Sequence, residues 1–438
     1  MDATLHAAEP AAPGALSAPA DDTPADDAPA AGSATGPGEH QRPAVTELRL
    51  SAFGTHRAAV FPFGPVTLLT GPSGSGKSQA LAAYGALARL ASGACLDEVF
   101  PDPSAQVRET AVPDDGGRRG FRIGCTVDGP AGPVRLDLAV QAEPELRIAG
   151  ERLSLDGEIL LTTALRDPRR RSVQAAWLTG GAAGMTRAPL PDDRLGTALL
   201  PLRVSGATAG QRLVLAAAEQ VVVALRAVFL CDPVPGRMRA PVPPGEGRLR
   251  GDCGNLADVL RRTRHECGTR HALLARAART GCAGPVAGLG VRGDGVDGGA
   301  GGVGGVGGAR GAGGVRGAGG VGGLVEAVLE RGGGRPATGF ARLADGELRF
   351  LAQALVLLTG PGVLAVDPAA ELLSARQALT VLADGLDRGL DRRQTAELLR
   401  LALLSGERGH IRLVAAVGED TAGTARGIPG VSVVDLSP

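Results

Sequence analysis

The 438-residue sequence carries 46 lysine plus arginine residues against 46 aspartate plus glutamate residues, so its overall charge favours neither a nucleic-acid nor an anionic-membrane partner. Hydrophobic residues make up 44% of the chain and aromatic residues only 2%, which predicts an aliphatic globular core in one large or two medium domains. The six cysteines form no CxxC pair, which argues against a zinc or disulfide framework and indicates a reducing cytosol.

No segment has the pattern of an export signal or a membrane span. The N-terminus lacks a basic region followed by an uninterrupted apolar run. The most apolar stretch, residues 213–230, is interrupted by Glu219, Gln220 and Arg226, so it predicts a buried helix. We therefore expect a soluble, cytoplasmic protein without a membrane partner.

The first elements follow a tail of biased composition. Residues 1–43 are rich in Ala, Pro and Asp and have almost no large apolar side chains, so we expect disorder there. The N-terminal part of the folded domain is expected over residues 44–282. It opens with strands near residues 45–50 and 66–69, and a helix over residues 78–90 carries apolar side chains at three-residue steps.

The rest of this part combines strands and helices. Short apolar segments between residues 121 and 161 are separated by Gly, Pro and Asp, which predicts an antiparallel β arm. Residues 207–230 and 255–280 are expected to be mostly helical. Asn255 is expected to cap the second helical stretch, with Asp258 completing its N-terminus.

A glycine-rich tract divides the domain. Residues 283–323 contain imperfect GGVGG and RGAGG repeats, and their short period and low proline content predict a flexible insertion. An RGG-like RNA-binding function is an alternative, although no aromatic residues interleave. The C-terminal part spans residues 324–438, where two helical stretches flank a predicted strand at residues 363–366 that ends at Asp367.

The strongest motif is a complete G-x4-G-K-[ST] phosphate loop between a predicted strand and a predicted helix. It comprises Gly71, Pro72, Ser73, Gly74, Ser75, Gly76, Lys77 and Ser78. Its glycines let backbone N–H groups surround the α- and β-phosphates, while Lys77 can reach the β- and γ-phosphates and Ser78 can ligate Mg²⁺. Lys77 is the only lysine in the chain, and the planar arginine side chain could not replace it here. The motif predicts nucleotide binding.

Two further segments extend this pattern. Leu343, Ala344, Asp345, Gly346 and Glu347 precede an apolar helix, and about twenty residues later an apolar run ends at Asp367. With these segments the sequence resembles the ABC-like predicted ATPases of the AAA-type class, relatives of RecF and chromosome-maintenance ATPase heads. The resemblance implies an α/β P-loop fold with a β arm and a helical insertion. It makes residues 344–347 the signature loop and Asp367 the Walker B ligand of Mg²⁺, beside Ser78.

The resemblance covers most of residues 45–436. Weaker support comes from residues 48–53, which look like the family's opening strand, from the Glu-x-Leu step that begins at Glu151, and from residues 254–257. In this family two heads stack so that each signature loop faces the γ-phosphate on the other head. The resemblance therefore implies ATP and Mg²⁺ as ligands and a homodimer, or a dimer with a similar head, that acts on DNA or an effector protein.

The segment after Asp367 departs from the family pattern. Pro368 stands where the family carries its catalytic glutamate, and Ala370 stands at the second acidic position. Glu371 could act as the general base only if a local bulge brought it back to that point.

Other expected residues are also absent. Ala344 replaces the signature serine, and no histidine follows the last predicted core strand. His410 precedes that strand, so it lies at the wrong end for this role. Gln106 and Gln141 are the candidates for the glutamine loop, without a feature that separates them.

Three functions are compatible with these residues. The first is an ABC-like ATPase head that binds ATP–Mg²⁺ and hydrolyses it slowly; the second is a nucleotide sensor or scaffold that does not hydrolyse. The third, a small-molecule P-loop kinase, is disfavoured because such an enzyme needs no signature segment. We also expect residues 363–367 to pair in parallel with the strand over residues 66–70.

Overall fold

The computed structural model describes residues 42–167, 169–180, 184–293, 323–366 and 378–436. The predicted disordered tail falls almost wholly outside these ranges. The first strand begins at Ala44, one residue before the position expected from the sequence.

An antiparallel sheet forms one layer of the molecule. Its strands are β1 Ala44–Phe53, β2 His56–Pro62, β4 Arg119–Asp128, β5 Val134–Glu143, β6 Arg147–Leu155, β7 Glu158–Ala164, β8 Ser172–Leu178 and β9 Met185–Pro191, in the order β2-β1-β4-β5-β6-β7-β8-β9. Buried and more exposed residues alternate along β5 because only one face of this sheet covers the core. The predicted β arm is confirmed, although the sequence did not indicate β8 and β9.

A small sheet corrects the prediction for the glycine-rich tract. Strand β11, Gly288–Gly293, pairs antiparallel with β12, Val325–Glu330, which in turn pairs with β13, Thr338–Gly339. The predicted flexible insertion over residues 283–323 is therefore a strand in part, because Leu289 and Val291 can pack against apolar neighbours. Residues 294–322 lie outside the described ranges.

The central sheet is parallel. Its strands are β3 Val66–Thr70, β10 Val228–Cys231, β14 Leu379–Asp384, β15 Ile411–Ala416 and β16 Val431–Asp435, in the order β10-β14-β15-β3-β16. All of β3 is buried, as expected for a parallel strand that is covered on both faces. The α/β fold predicted from the sequence is confirmed.

The strand predicted before Asp367 is wrong. Strand β3 pairs with β15 along one edge and with β16 along the other, so residues 363–367 have no free edge of β3 to pair with. Leu364 instead forms an isolated parallel bridge to Leu249, directly after the 3-10 turn Pro361–Val363. A short apolar run in the sequence does not predict which strand, if any, it will pair with.

The α-helices of the described residues fill the space on both sides of the central sheet. They are α1 Lys77–Ala91, α2 Leu96–Val99, α3 Gly196–Leu199, α4 Ala209–Arg226, α5 Pro235–Met238, α6 Leu256–Glu266, α7 Gly268–Gly281, α8 Asp345–Leu358, α9 Arg392–Glu407 and α10 Glu419–Ala425. Helices α1 and α4 pack between the two large sheets. Helices α9 and α10 contact the parallel sheet on its other side, α6 and α7 contact the small sheet, and α8 packs against α7 and α9. None of the helices described is long and apolar enough to cross a membrane.

Asn255 precedes α6 but does not cap it with its side chain. Its Oδ1 accepts a hydrogen bond from the Arg250 N–H (3.0 Å), and its Nδ2 donates to the Arg248 carbonyl (2.6 Å). Asp258 is buried and accepts from the Gly247 N–H (2.8 Å). Both side chains therefore hold the segment before α6 in place rather than satisfying the N-terminus of the helix.

Candidate nucleotide site

The phosphate loop leaves β3, an interior strand of the parallel sheet, and enters α1. Strand β3 ends at Thr70, and α1 begins at Lys77. Gly71, Gly74 and Gly76 have φ angles of 138°, 83° and 94°, conformations that residues with a side chain rarely adopt. The loop therefore takes a backbone path that requires these glycines, as the sequence predicted.

The hairpin between β1 and β2 supports the loop from behind. His56 is buried, and its Nε2 lies 3.1 Å from the Gly76 carbonyl oxygen. A Cβ added at Gly76 would lie 2.3 Å from the same nitrogen. The Gln79 Oε1 accepts a hydrogen bond from the Thr55 N–H (2.8 Å), which ties the first turn of α1 to the hairpin.

The polar groups of the loop suit a phosphate and a hard cation. Lys77 Nζ donates to the carbonyl oxygens of Gly71 (2.6 Å) and Pro72 (3.0 Å), so the ammonium group already lies over the loop. The Ser75 hydroxyl oxygen is buried without a hydrogen-bond partner among the described residues, and Ser78 is exposed in the first turn of α1. Backbone N–H groups at a helix N-terminus, an ammonium group and a serine hydroxyl are the donor set that a nucleotide phosphate with Mg²⁺ requires.

An acidic residue that the sequence prediction missed lies at the same edge of the sheet. Asp384 is the last residue of β14 and is half-buried. It is paired with Ala416 of β15, which is paired with Leu69 of β3. No hydrogen bond or ion pair within the described ranges engages its carboxylate. The signal for it was an apolar strand that ends in Asp, the same signal that pointed to Asp367.

The predicted ligand Asp367 and the predicted base Glu371 lie outside the described residues. Their roles therefore stay predictions. Only the preceding residues are described, and these lie beside Leu249 and not beside β3.

The segment after Asp384 turns sharply and contacts the end of β15. Gly385 has a φ of 69°, and the Asp387 Oδ2 accepts a hydrogen bond from the Gly418 N–H (2.9 Å). Gly418 follows the end of β15, in the segment where the family resemblance predicts a histidine. His410 is exposed at the opposite end of β15, as expected from the sequence, and partial loss of water contact, together with the charges of Arg42 and Arg408, lowers its pKa.

The signature segment forms the start of α8. Ala344 is the N-cap residue, and its N–H donates to Glu347 Oε2 (3.0 Å); the other carboxylate oxygen of Glu347 accepts from the Ala283 N–H (2.8 Å). Asp345 forms an ion pair with Arg239. Ala344 and Asp345 are exposed, whereas Gly346 is buried. The helix thus begins at Asp345, inside the segment that the sequence analysis placed before it, and its N-cap and first residue face outward.

The two glutamine candidates differ in position. Gln141 is buried and donates to the Glu145 carbonyl (3.0 Å). The carbonyl oxygen of Gln106 accepts from the Gly54 N–H (2.7 Å), beside the hairpin that supports the phosphate loop. Of the two, Gln106 is therefore the one that is hydrogen-bonded to the hairpin behind the phosphate loop.

Neither a protein-family model nor a curated protein sequence matches this chain. Among solved structures it is similar to an SmcHead bound to the C-winged helix domain of ScpA, with 13% identity over 85% of this chain and 90% of that one and a TM-score of 0.43. The SMC head domain from Thermotoga maritima shares 13% identity over 87% and 92% of the two chains, with a TM-score of 0.38.

A third similar structure is an Smc head domain with an extended coiled coil, bound to the C-terminal domain of ScpA and derived from Pyrococcus furiosus. It shares 12% identity over 86% of this chain and 90% of that chain, with a TM-score of 0.40. With identities and TM-scores this low, the fold rests on the strand order and the loop geometry described above.

Proposed function

We propose that the chain is an ABC-like ATPase head that binds ATP with Mg²⁺ through residues 71–78 and dimerises around it, with slow or absent hydrolysis. The observation that carries the proposal is the conformation of the loop. Three glycines with positive φ connect the buried strand β3 to a helix N-terminus, and the only lysine of the chain lies over them.

Each group of the loop has a role in this proposal. Backbone N–H groups and Lys77 hold the phosphates, and the Ser78 hydroxyl and the Asp384 carboxylate hold Mg²⁺, directly or through water. The metal ion neutralises charge on the β- and γ-phosphates. We propose Asp384 in place of Asp367 because the pairing of β14, β15 and β3 puts Asp384 at the edge of the sheet where the loop begins.

Slow hydrolysis follows from what surrounds Asp384. The next residue is Gly385, which has no carboxylate to activate water, and the Asp387 carboxylate is hydrogen-bonded to the Gly418 N–H. Loss of a general base commonly lowers a rate by about 10²–10⁴-fold. A non-hydrolysing sensor or scaffold, in which ATP occupancy sets the dimeric state, is the alternative that these residues also favour.

Dimerisation would use the exposed start of α8. Ala344 and Asp345 at this N-terminus are exposed, so the signature loop can approach a phosphate held by a second copy or by a similar head. DNA or a separate effector protein is the partner class that the family resemblance gives to such a dimer.

ATP binding and oligomeric state test this function together. We expect the wild type to bind ATP–Mg²⁺ and to shift towards a dimer in analytical ultracentrifugation, and Lys77→Ala to lose both effects. Turnover that Lys77→Ala abolishes supports the ATPase, and tight binding without turnover supports the sensor. Absence of nucleotide binding by the wild type would refute both.

The metal ligand is tested by a pair of variants. We expect Asp384→Asn to weaken the Mg²⁺-dependent part of ATP affinity, and Asp367→Asn to leave it unchanged. The reverse result would restore Asp367 as the ligand.

A further inference from the structure

An arginine lies where the proposed ATPase would need its general base. After β14 the chain makes a turn in which the Arg388 N–H donates to the Gly385 carbonyl (3.1 Å). The side chain of Arg388 folds back over this turn: a Cβ added at Gly385 would lie 3.0 Å from both Nε and Nη2 of Arg388 and 3.2 Å from its Cζ. The guanidinium group therefore occupies the space next to Asp384 that a side chain at position 385 would enter.

The charge of Arg388 is not neutralised within the described part of the chain. It is exposed, and no carboxylate there lies within ion-pair distance of it. Neighbouring acids are engaged elsewhere, since Asp387 accepts from the Gly418 N–H and Asp391 accepts from the Gln394 N–H (2.8 Å). Among the described residues, the turn thus presents a cation without a carboxylate partner.

Backbone hydrogen bonds fix this turn relative to the phosphate loop. The Leu386 N–H donates to the Ala416 carbonyl of β15 (3.0 Å), and the Val417 N–H donates to the Leu69 carbonyl of β3 (3.0 Å). Strands β14 and β3 are two positions apart in the sheet, which is a separation of about 10 Å. The Arg388 turn and residues 71–78 follow the same, carboxyl edge of the sheet.

We propose that Arg388 binds the γ-phosphate of the nucleotide and so makes the site selective for ATP over ADP. A guanidinium group can donate two parallel hydrogen bonds to phosphate oxygens. This inference rests on the proposed nucleotide site and adds to it a residue that distinguishes the two nucleotides. A cation in the position of the general base holds the γ-phosphate and does not deprotonate water, so Arg388 stabilises the ATP-bound state without increasing turnover.

Titration calorimetry with ATP and ADP, each with Mg²⁺, tests this role in the full chain. We expect Arg388→Ala to weaken ATP binding by about 10- to 100-fold, the loss of a charge-assisted contact, and to change ADP binding by less than about 2-fold. Arg388→Lys keeps the charge but not the paired donors, so it should recover part of the ATP affinity. Arg392→Ala is the matched control, because Arg392 is also exposed, four residues further along, and should change neither affinity.

The outcomes separate this inference from the proposed function. Equal losses for ATP and ADP, or no loss for either, would overturn the role of Arg388 while leaving the nucleotide site in place. A wild type that binds neither nucleotide would overturn both. Circular dichroism of Arg388→Ala checks that the fold is retained, and Arg388→Gln repeats the measurement with a side chain of closer size.

Discussion

At the scale of single residues, Glu151 combines a buried carboxylate with a full set of donors. It is 1% exposed, and it accepts hydrogen bonds from the N–H groups of Gly196 (2.6 Å) and Thr197 (2.7 Å) and from the Thr197 hydroxyl. Burial raises the pKa of Glu151, while the hydrogen bonds from Thr197 and Gly196 lower it by a smaller amount. Glu151 thus attaches β6 to the start of α3.

Removal of this carboxylate should be costly. Glu151→Ala leaves two N–H groups buried without acceptors, so we expect the free energy of unfolding to fall by about 3 kcal/mol. Glu158→Ala is the control, because Glu158 is exposed on β7 and should change stability by less than about 0.5 kcal/mol. Urea denaturation measures both, and a small effect of Glu151→Ala would contradict the role of these hydrogen bonds.

The raised pKa of Glu151 adds a pH dependence. A carboxyl group with a raised pKa in the folded state contributes stability that is present at low pH and is lost as the pH rises through that value. Because Glu151→Gln cannot ionise, the wild type should lose stability relative to this variant as the pH rises from below the ordinary glutamate pKa of about 4.3. Urea titrations at a series of pH values measure the difference, and a gain of stability instead would contradict the direction given for the shift.

The sequence could identify the residues of the phosphate loop because their spacing is itself the motif. It could not identify the partners of Glu151, which lie 45 and 46 residues further along the chain. Asn255 shows the same limit: its position before a helix predicts a cap, but its side chain bonds to Arg248 and Arg250. The local sequence pattern predicts the helix or strand on which a side chain lies, whereas its hydrogen-bond partners depend on the tertiary fold.

At the scale of elements, the backbones of α8 and of the segment before α9 pack so closely that no side chain fits between them. A Cβ added at Gly346 would lie 2.2 Å from the Gly389 carbonyl oxygen. The Gln394 side chain of α9 donates to the Gly281 carbonyl at the end of α7 (2.7 Å). The signature helix is therefore in direct contact with the segment that follows Asp384 and Arg388.

We expect Gly346→Ala to disturb the close packing between α8 and the segment before α9. We expect it to destabilise the fold by about 1–3 kcal/mol, because backbone atoms have to move to admit the methyl group. Gly423→Ala in α10, where an added Cβ meets nothing within 4 Å, should instead stabilise by about 0.5–1 kcal/mol. Thermal denaturation compares the two, and equal effects would contradict the close contact.

Two apolar runs in the sequence end in Asp, and their composition does not predict which of them lies next to β15 in the parallel sheet. Residues 363–367 and β14 both have this pattern. Only β14 lies between β10 and β15, because strand neighbours depend on long-range pairing and not on local preference. The sequence thus predicted the fold class and the β arm, whereas the choice between Asp367 and Asp384 as the metal ligand depends on strand pairing that the local pattern does not contain.

At the scale of the whole molecule, Tyr84 joins the layers on either side of α1. Its ring stacks on Phe63, with centroids 5.6 Å apart, and its hydroxyl lies 3.4 Å from the Thr380 hydroxyl of β14. It is 1% exposed. A single side chain thus contacts both the end of the β1–β2 hairpin and the parallel sheet.

Tyr84→Ala tests whether the layers unfold together. We expect one calorimetric transition in the wild type and a loss of about 3–5 kcal/mol in the variant, from the cavity left between the layers. Tyr84→Phe should cost less than about 1 kcal/mol, because it removes only the long hydroxyl contact. Two separate transitions in the wild type would contradict a shared core.

The pairing of β16 with β3 affects when the phosphate loop can form during synthesis. The Leu436 N–H donates to the Thr70 carbonyl (2.8 Å), and Leu436 packs against Gly71, so residues at the far end of the sequence complete the support of a loop made early. At about 5–20 residues per second, a ribosome needs roughly 20–70 s to add the intervening ~360 residues. Because β15, the other partner of β3, also lies more than 300 residues downstream, both edges of β3 lack a partner during most of that interval, and the emerging chain depends on other means to keep them from aggregating.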